Sequence, residues 1–510
     1  MKINKYIIGL GLTFSFLFAG CDSFLDPEKD GKLGEDDIWN ETRRAFGFMN
    51  DAYNKLPSGY NRIDNAMLAA GCDEAVHSDV TSDIKGFNNG TWDSYFLVEN
   101  VWTKNYEGIR IVNRFLEKID ELKMPVKPTT SGTNEELVRT RERMKGEAHF
   151  LRAYFYFELI KRYGGVPLIT KSLTAEEAQQ VTRASYDDCM KQIIADCDTA
   201  ANRLPEQYKG SSESVGFDDK KELGRPTTGS AYGLKSRALL YWASPLNNPN
   251  NDKQRYKLAI DAAQKVVESA FRYKLMAFTD EDETFTDLYA VSENFLQYHR
   301  EIVFSTKYNT TTSVESQNSP LTMGGKGLTN PTQNLADAFG MANGKGINEL
   351  GSGYDKDHPY VGRDPRFYMT FAYDGSTFTV NDKTQTIETF EGGKDATATN
   401  KTATKTGYYL KKLLSPQAVW DGRTNNITRT WILMRYAEVL LNCAEAMNEY
   451  YDTPSAAPKD SIYKVVELIR KRAQLNPHKL PTGLSKEEMR EVIRNERRVE
   501  LAFEEHRFFD

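Results

Sequence analysis

The sequence predicts a mainly α-helical protein: a tetratricopeptide-like, α-solenoid scaffold of paired helices carrying a loop-rich insertion with short strands. Three observations lead there. Apolar residues recur at steps of three and four along much of the chain. The helices so defined come in pairs and hold Ala and Gly inside them, as stacked helical repeats do, although no strict repeat of about 34 residues is present. Between residues 275 and 428 the texture turns to Gly, Thr, Asn, Ser and Asp.

The chain opens with Lys2 and Lys5, then an uncharged run from Tyr6 to Ala19, then Gly20 and Cys21. A basic start, an apolar run and a small-residue junction describe a secretory signal over residues 1–20. The run is shorter than the roughly 20 apolar residues that a membrane span needs. The junction "FAGC" resembles a bacterial lipobox, which implies that Cys21 is lipidated, with palmitate among the chains, and becomes the new N-terminus. Each buried methylene of such an anchor contributes about 0.8 kcal/mol.

Helices follow in order. "NYEGIRIVNRFLEKI" places Ile109, Val112, Leu116 and Ile119 on one face. "RERMKGEAHFLRAYFYFELIKRYGGVPL" reads as a long helix that stops at Gly164-Gly165, with Pro167 beyond. "SYDDCMKQIIADCDTAANRLP" starts at a Ser185 cap and stops before Pro205. "TTGSAYGLKSRALLYWASP" and "DKQRYKLAIDAAQKVVESA" are two more, completing a helical block over 38–274. The insertion, 275–428, holds strand-like pieces such as "EIVFSTKY" and "FYMTFAY". A second block, 429–510, contains "WILMRYAEVLLNCAEAMNEY", "SIYKVVELIRKRA" and "SKEEMREVIRNERRVELAFEEHRFFD".

Composition narrows the function. With 66 basic and 72 acidic residues the net charge is −6, which gives no electrostatic reason to bind nucleic acid. Cys189 and Cys197 sit eight residues apart on one helix. That is about 12 Å, beyond the roughly 7 Å limit for a disulfide. They read with Cys72 and Cys443 as small core residues. The six histidines form no HExxH, and the acidic loops lack EF-hand spacing, so no metal or cofactor is expected. Glu496 and Glu500 lie near an apolar helical seam and would tempt an acid/base reading. Arginines 494, 497, 498 and 507 offer ionic partners instead, so no catalytic residue is assigned.

The tryptophans sort into two groups. Trp39, Trp102, Trp242 and Trp431 fall in or at the ends of helical blocks, where core or seam packing is the default. Trp92, in "GFNNGTWDSYF", and Trp420, in "LSPQAVWDGRTNN", sit in polar, glycine-containing loops, each beside an aspartate, Asp93 or Asp421. A flat ring beside a carboxylate suits a sugar, whose C–H face stacks while its hydroxyls donate. Tyr95, Tyr308, Asp73 and Glu74 are weaker candidates from neighbouring loops.

Several stretches, in order, are similar to the SusD/RagB family of surface glycan-binding lipoproteins: "CDSFLD", "GIRIVNRFLEKID", "GEAHFLRAYFYFELIKRYGGVPLIT", "GRPTTGSAYGLKSRALLYWASP", "GRDPRFYMTF", "WILMRYAEVLLNCAEAMNE" and "VIRNERRVELAFEEHRFFD". The resemblance covers nearly the whole chain. It implies one SusD-like domain over 21–510, a loop-rich ligand face, and capture of an oligosaccharide without hydrolysis. It implies a partner, a SusC-like TonB-dependent outer-membrane transporter, and a lipid-anchored place on the outer membrane. Family members usually continue past the equivalent of Asp510, so it also implies a chain cut short at its C-terminus. A secreted glycoside hydrolase and a peptide-capturing or scaffold lipoprotein on the same fold are the alternatives.

Overall fold

The computed structural model describes residues 38–39, 42–121, 134–208, 222–269, 273–277, 288–289 and 300–510. The signal segment and Cys21 lie outside the described residues.

The helical scaffold runs through α1 (Thr42–Tyr53), α2 (Trp102–Lys118), α3 (Asn134–Tyr163), α4 (Tyr186–Arg203), α5 (Thr228–Ala243) and α6 (Lys253–Val267). It resumes with α7 (Tyr436–Tyr450), α8 (Ser461–Arg472) and α9 (Lys486–Glu500). From α1 to α8 each helix packs on its successor, α6 packing directly on α7 across the intervening insertion, and α9 packs back on α7. The stack is therefore continuous in space although the chain leaves it for the whole insertion. No helix among the described residues is long and apolar enough to cross a membrane.

The ends of the helices are set locally. Ser185 accepts from the Asp188 N–H at 3.0 Å and starts α4, while Thr227 and Ser485 form capping boxes with Ser230 and Glu488 at the starts of α5 and α9. Gly164, at φ +68°, ends α3. Small residues set the spacing: a Cβ on Gly108 would lie 2.5 Å from the Phe155 ring, so α2 and α3 approach closely only because that side chain is absent.

The insertion is built from two-stranded antiparallel pieces. Strand β1 (Ala75–His77) pairs with β4 (Thr329–Pro331), β2 (Ile302–Ser305) with β10 (Ile432–Arg435), and β3 (Asn309–Thr311) with β9 (Ile427–Arg429). Strand β5 (Phe371–Ala372) pairs with β8 (Tyr409–Leu410), and β6 (Thr377–Val380) with β7 (Lys383–Thr386). Through β1 the loop layer between α1 and α2 joins the insertion.

Four elements differ from the sequence reading. "WILMRYAEV" begins as strand β10, buried along its length, and turns helical only at Tyr436. "FYMTFAY" is helical up to Thr370, started by Asp364 and Pro365, and only Phe371–Ala372 is strand. The last helix stops at Glu500, because Phe503 and Glu505 adopt positive φ values of 65° and 66°. Trp102 is 38% exposed rather than packed away, whereas Trp39 and Trp431 are buried. The cysteines behave as read: Cys189, Cys197 and Cys443 are buried and free, and Cys72 is half-buried and free.

A buried charge cluster clasps the insertion to the scaffold. Arg435, at the end of β10, donates to Glu301 at 2.8 Å, Glu500 at 2.7 Å and Glu504 at 2.7 Å. Lys412 donates to Glu504 at 2.8 Å, and Arg366 bridges Asp364 at 2.8 Å and Glu496 at 2.6 Å. Glu496 and Glu500 are thus paired as expected, but to insertion and core arginines rather than to the helix's own. Burial pushes the Glu504 carboxyl up, yet Arg435 and Lys412 outweigh it and hold it at about 2.

Replacing Arg435 with Ala would leave three buried carboxylates short of a cation and should destabilise the fold by about 3–5 kcal/mol, read as a lowered urea midpoint. Arg435→Lys should recover little, because one ammonium cannot reproduce a three-nitrogen fork. Glu504 is depressed in the folded state, so its pairing stabilises above the ordinary carboxylate range. That stabilisation should be lost as pH falls from about 4.5 toward 2, visible as acid unfolding in a pH series.

Candidate functional site

Strands β6 and β7 alternate Thr-Phe-Thr-Val and Lys-Thr-Gln-Thr around Asn381-Asp382, both at positive φ near 57°. That is a two-residue hairpin turn of the kind Asn and Asp favour. The turn holds Trp420. The Asn381 side-chain oxygen accepts from the backbone N–H of Trp420 at 3.0 Å and of Asp421 at 3.1 Å. Its amide donates to Met323 O at 3.1 Å. The Trp420 indole Nε1 donates to Gly324 O at 3.1 Å.

Trp420 is half-buried, packed against the core. Its surroundings are polar: Asp421 lies 3.8 Å from Lys383, and Arg423 pairs with Asp382 at 2.9 Å. A second chain of bonds underlies the turn, with Gln385 and Asp395 both meeting the Thr322 hydroxyl. The result is a fixed aromatic ring amid exposed donors and acceptors, with no interior titration needed to use it.

Trp92 stands in a different loop. It is 52% exposed and meets Phe87 edge-on at 5.6 Å, and Phe87 meets Phe508 at 4.8 Å. Asp93 caps its own loop, accepting from the N–H groups of Tyr95 at 2.7 Å and Phe96 at 2.8 Å. Tyr95 projects into solvent, 98% exposed. Tyr308 is half-buried and leads into β3.

Asp73 is engaged by the C-terminal segment: Arg507 donates to it at 2.7 and 2.8 Å and Arg498 at 3.1 Å. Glu74 is buried and accepts from the Phe503 N–H at 3.3 Å; burial pushes its carboxyl up to about 8. Trp420 and Trp92 therefore rest on separate supports, the hairpin turn for one and Phe87 for the other. Asp73 and Glu74 tie the N-terminal loop layer to the end of the chain.

Asn381, Lys383 and Thr322 were not read from the sequence. The alternating strands around Asn381-Asp382 carried a hairpin signal, but nothing in it points to residues forty positions away. A further aromatic pair, Tyr360 and Tyr373, meets at a tilt of 39° with centroids 4.4 Å apart and is half-buried on the insertion.

Comparison with known proteins is consistent along the chain. A family model described as the SusD family matches residues 295–510, and one described as starch-binding associating with outer membrane matches residues 24–240. SusD-like protein P2 of Formosa agariphila is 25% identical over 524 residues, covering 100% of this chain and 90% of its own length. A SusD-like protein of Bacteroides fragilis, known from its crystal structure, is 28% identical, with a TM-score of 0.75 over 94% of this chain and 87% of its own. A second structure from that organism, described as a SusD-like carbohydrate binding protein, shares the fold at 23% identity and a TM-score of 0.69, over 93% of this chain and 86% of its own.

Because the Glu74 carboxyl titrates high in the folded state, it stabilises below the ordinary carboxylate range and loses that as pH rises toward 8. Glu74→Gln should therefore melt near wild type at about pH 5 and above it at about pH 8, measured by thermal denaturation.

Proposed function

The chain belongs to the SusD/RagB family, and from that premise we propose that it is a non-catalytic, cell-surface glycan-binding lipoprotein. It captures an oligosaccharide on its loop face and delivers it to a SusC-like TonB-dependent transporter in the outer membrane. The family description as starch-binding and outer-membrane associating supports both the ligand class and the location. The lipobox-like Cys21 supplies the anchor.

The observation that carries the reading is Trp420. A ring held at its backbone by Asn381 and at its indole N–H by Gly324 loses little freedom on binding. Its polar neighbours Asp421, Lys383 and Arg423 can exchange hydrogen bonds with sugar hydroxyls while the ring takes the C–H face. Trp92, with Tyr95 beside it, is the second aromatic surface of this reading. Glu496 and Glu500, the pair a hydrolase would draw on, are buried against arginines and out of reach of a polysaccharide.

Trp420→Ala should weaken binding of a neutral oligosaccharide several-fold, a loss on the order of 1 kcal/mol or more, with helical circular dichroism unchanged. Calorimetric titration against a panel that includes maltoheptaose reads the effect. Affinity that survives Trp420→Ala but falls in Trp92→Ala would move the site to the Trp92 loop, and survival in both would sink the assignment. Cys21→Ala should shift the protein from the membrane to the soluble fraction on detergent-free fractionation.

A further inference from the structure

Helix α2 repeats a side chain of distinct chemistry every four residues: Trp102, Tyr106, Arg110, Arg114 and Lys118. Each step advances about 6 Å along the axis. The row is aromatic at its start and cationic over the rest. From Tyr106 to Lys118 it lines one wall of a cavity of about 530 Å³, whose opposite wall is the strap of residues 169–173.

The groove is preformed. The Asn113 amide donates to Ile169 O at 2.9 Å, the Tyr156 hydroxyl donates to the same oxygen at 2.8 Å, and the Tyr106 hydroxyl donates to Pro167 O at 2.8 Å. Ile109, Ile169 and Leu173 give it an apolar floor. One turn before the groove's lining begins, Trp102 is braced by Tyr106 at 4.9 Å and Tyr163 at 5.2 Å while remaining 38% exposed.

Its charge runs against that of the whole chain, which is net −6. Arg110, Arg114, Lys118 and Lys171 line it together with a single carboxylate, Glu117. That carboxylate is turned onto the strap, accepting from the Ser172 N–H and hydroxyl, each at 2.6 Å. Lys118 meets Glu121 at 3.1 Å and Lys171 meets Glu177 at 2.6 Å, both exposed pairs that a ligand can replace at little cost. Arg110 is exposed and makes no ion pair within 4 Å among the described residues, its neighbour Glu107 pairing with Lys55 instead.

We propose that this groove is a second binding track, for an anionic glycan whose sugars carry carboxylate or sulfate groups. The flat faces of Trp102 and Tyr106 take a sugar ring at one end, and Arg110, Lys118 and Lys171 meet anionic groups along the groove. An acidic peptide would use the cations but has no need of an exposed tryptophan at that end. The track stands apart from Trp420 and does not depend on it.

The test uses the whole chain with four probes: an oligogalacturonate, a carrageenan oligomer, neutral maltoheptaose and deca-glutamate, each titrated at low and high salt. Binding of either anionic glycan is expected, weakened by salt and weakened about tenfold by Arg110→Glu and by Trp102→Ala. The response of each variant to maltoheptaose should match wild type. Lys171→Glu, on the strap, serves as an independent second variant, and thermal melting confirms the fold of each. Failure of both anionic glycans to bind, or binding untouched by Arg110→Glu and Lys171→Glu, overturns the proposal. Equal affinity for deca-glutamate with no effect of Trp102→Ala overturns the sugar assignment in favour of an acidic protein segment. Loss of neutral-glycan binding in Trp420→Ala, judged separately, bears on the proposed function alone.

Discussion

Arg435 is the point on which the architecture turns. It closes strand β10, and the next residue begins α7, so the chain passes from insertion to scaffold at this guanidinium. Around it gather Glu301 from the insertion and Glu500 and Glu504 from α9 and the segment after it. Desolvating so many charges is expensive, and such a cluster is weak evidence of stability gained over an apolar core. Its geometric consequence is plainer. A guanidinium whose three acidic partners come from two distant parts of the chain tolerates one relative placement of those parts. The small two-stranded sheets of the insertion could not impose that placement, since isolated strand pairs are marginal by themselves.

That constraint matters for the loops. A ring such as Trp420 contributes to binding only if its loop does not have to be ordered at the moment of contact. The order is transmitted inward by short steps: indole to Gly324, backbone to Asn381, Asn381 to Met323. Elsewhere in the insertion Arg429, on β9, reaches Glu315 and Leu413 O, and β10 follows within three residues. Loops on a rigid scaffold are where binding residues concentrate, and here the rigidity comes from buried ionic and backbone contacts.

How much of this was legible in the sequence depended on the range of the interaction. Helix starts at Ser185 and the stop at Gly164 were readable because caps act within three or four residues. β10 reads as helix because its buried apolar run, Ile-Leu-Met, fits either period over so short a span. The partners of Glu496 and Glu500 escape local spacing for a related reason. Helical spacing suggested nearby arginines, whereas Arg366 lies 130 residues from Glu496 in sequence. The two loop tryptophans looked alike as dipeptides, each Trp-Asp. Only the fold separates Asp93, which caps its own turn, from Asp421, which stays exposed beside Lys383. Trp102 departs from its pattern for the opposite reason, since a helical position need not be a buried one.

Net charge describes the whole chain and not each groove of it. A balance of −6 argues against anionic ligands only if charges are spread evenly over the surface. They are not. Carboxylates Glu147, Glu301, Glu315, Glu438, Glu500 and Glu504 are buried, and each is matched there by arginine, with lysine also meeting Glu504. Those pairs cancel inside the protein and leave the surface to be described by what remains. The last ten residues show how local that remainder is. Arg507 covers Asp73, Glu505 pairs with Arg62, and Phe509 lies over Lys161 and Arg162, so this segment holds the N-terminal loop layer against α3. On α2, by contrast, Arg110 is exposed, and Arg110, Arg114 and Lys118 line the groove beside residues 169–173. A ligand meets the field of the groove it enters, set within about a Debye length by the nearest side chains, rather than the sum over the chain.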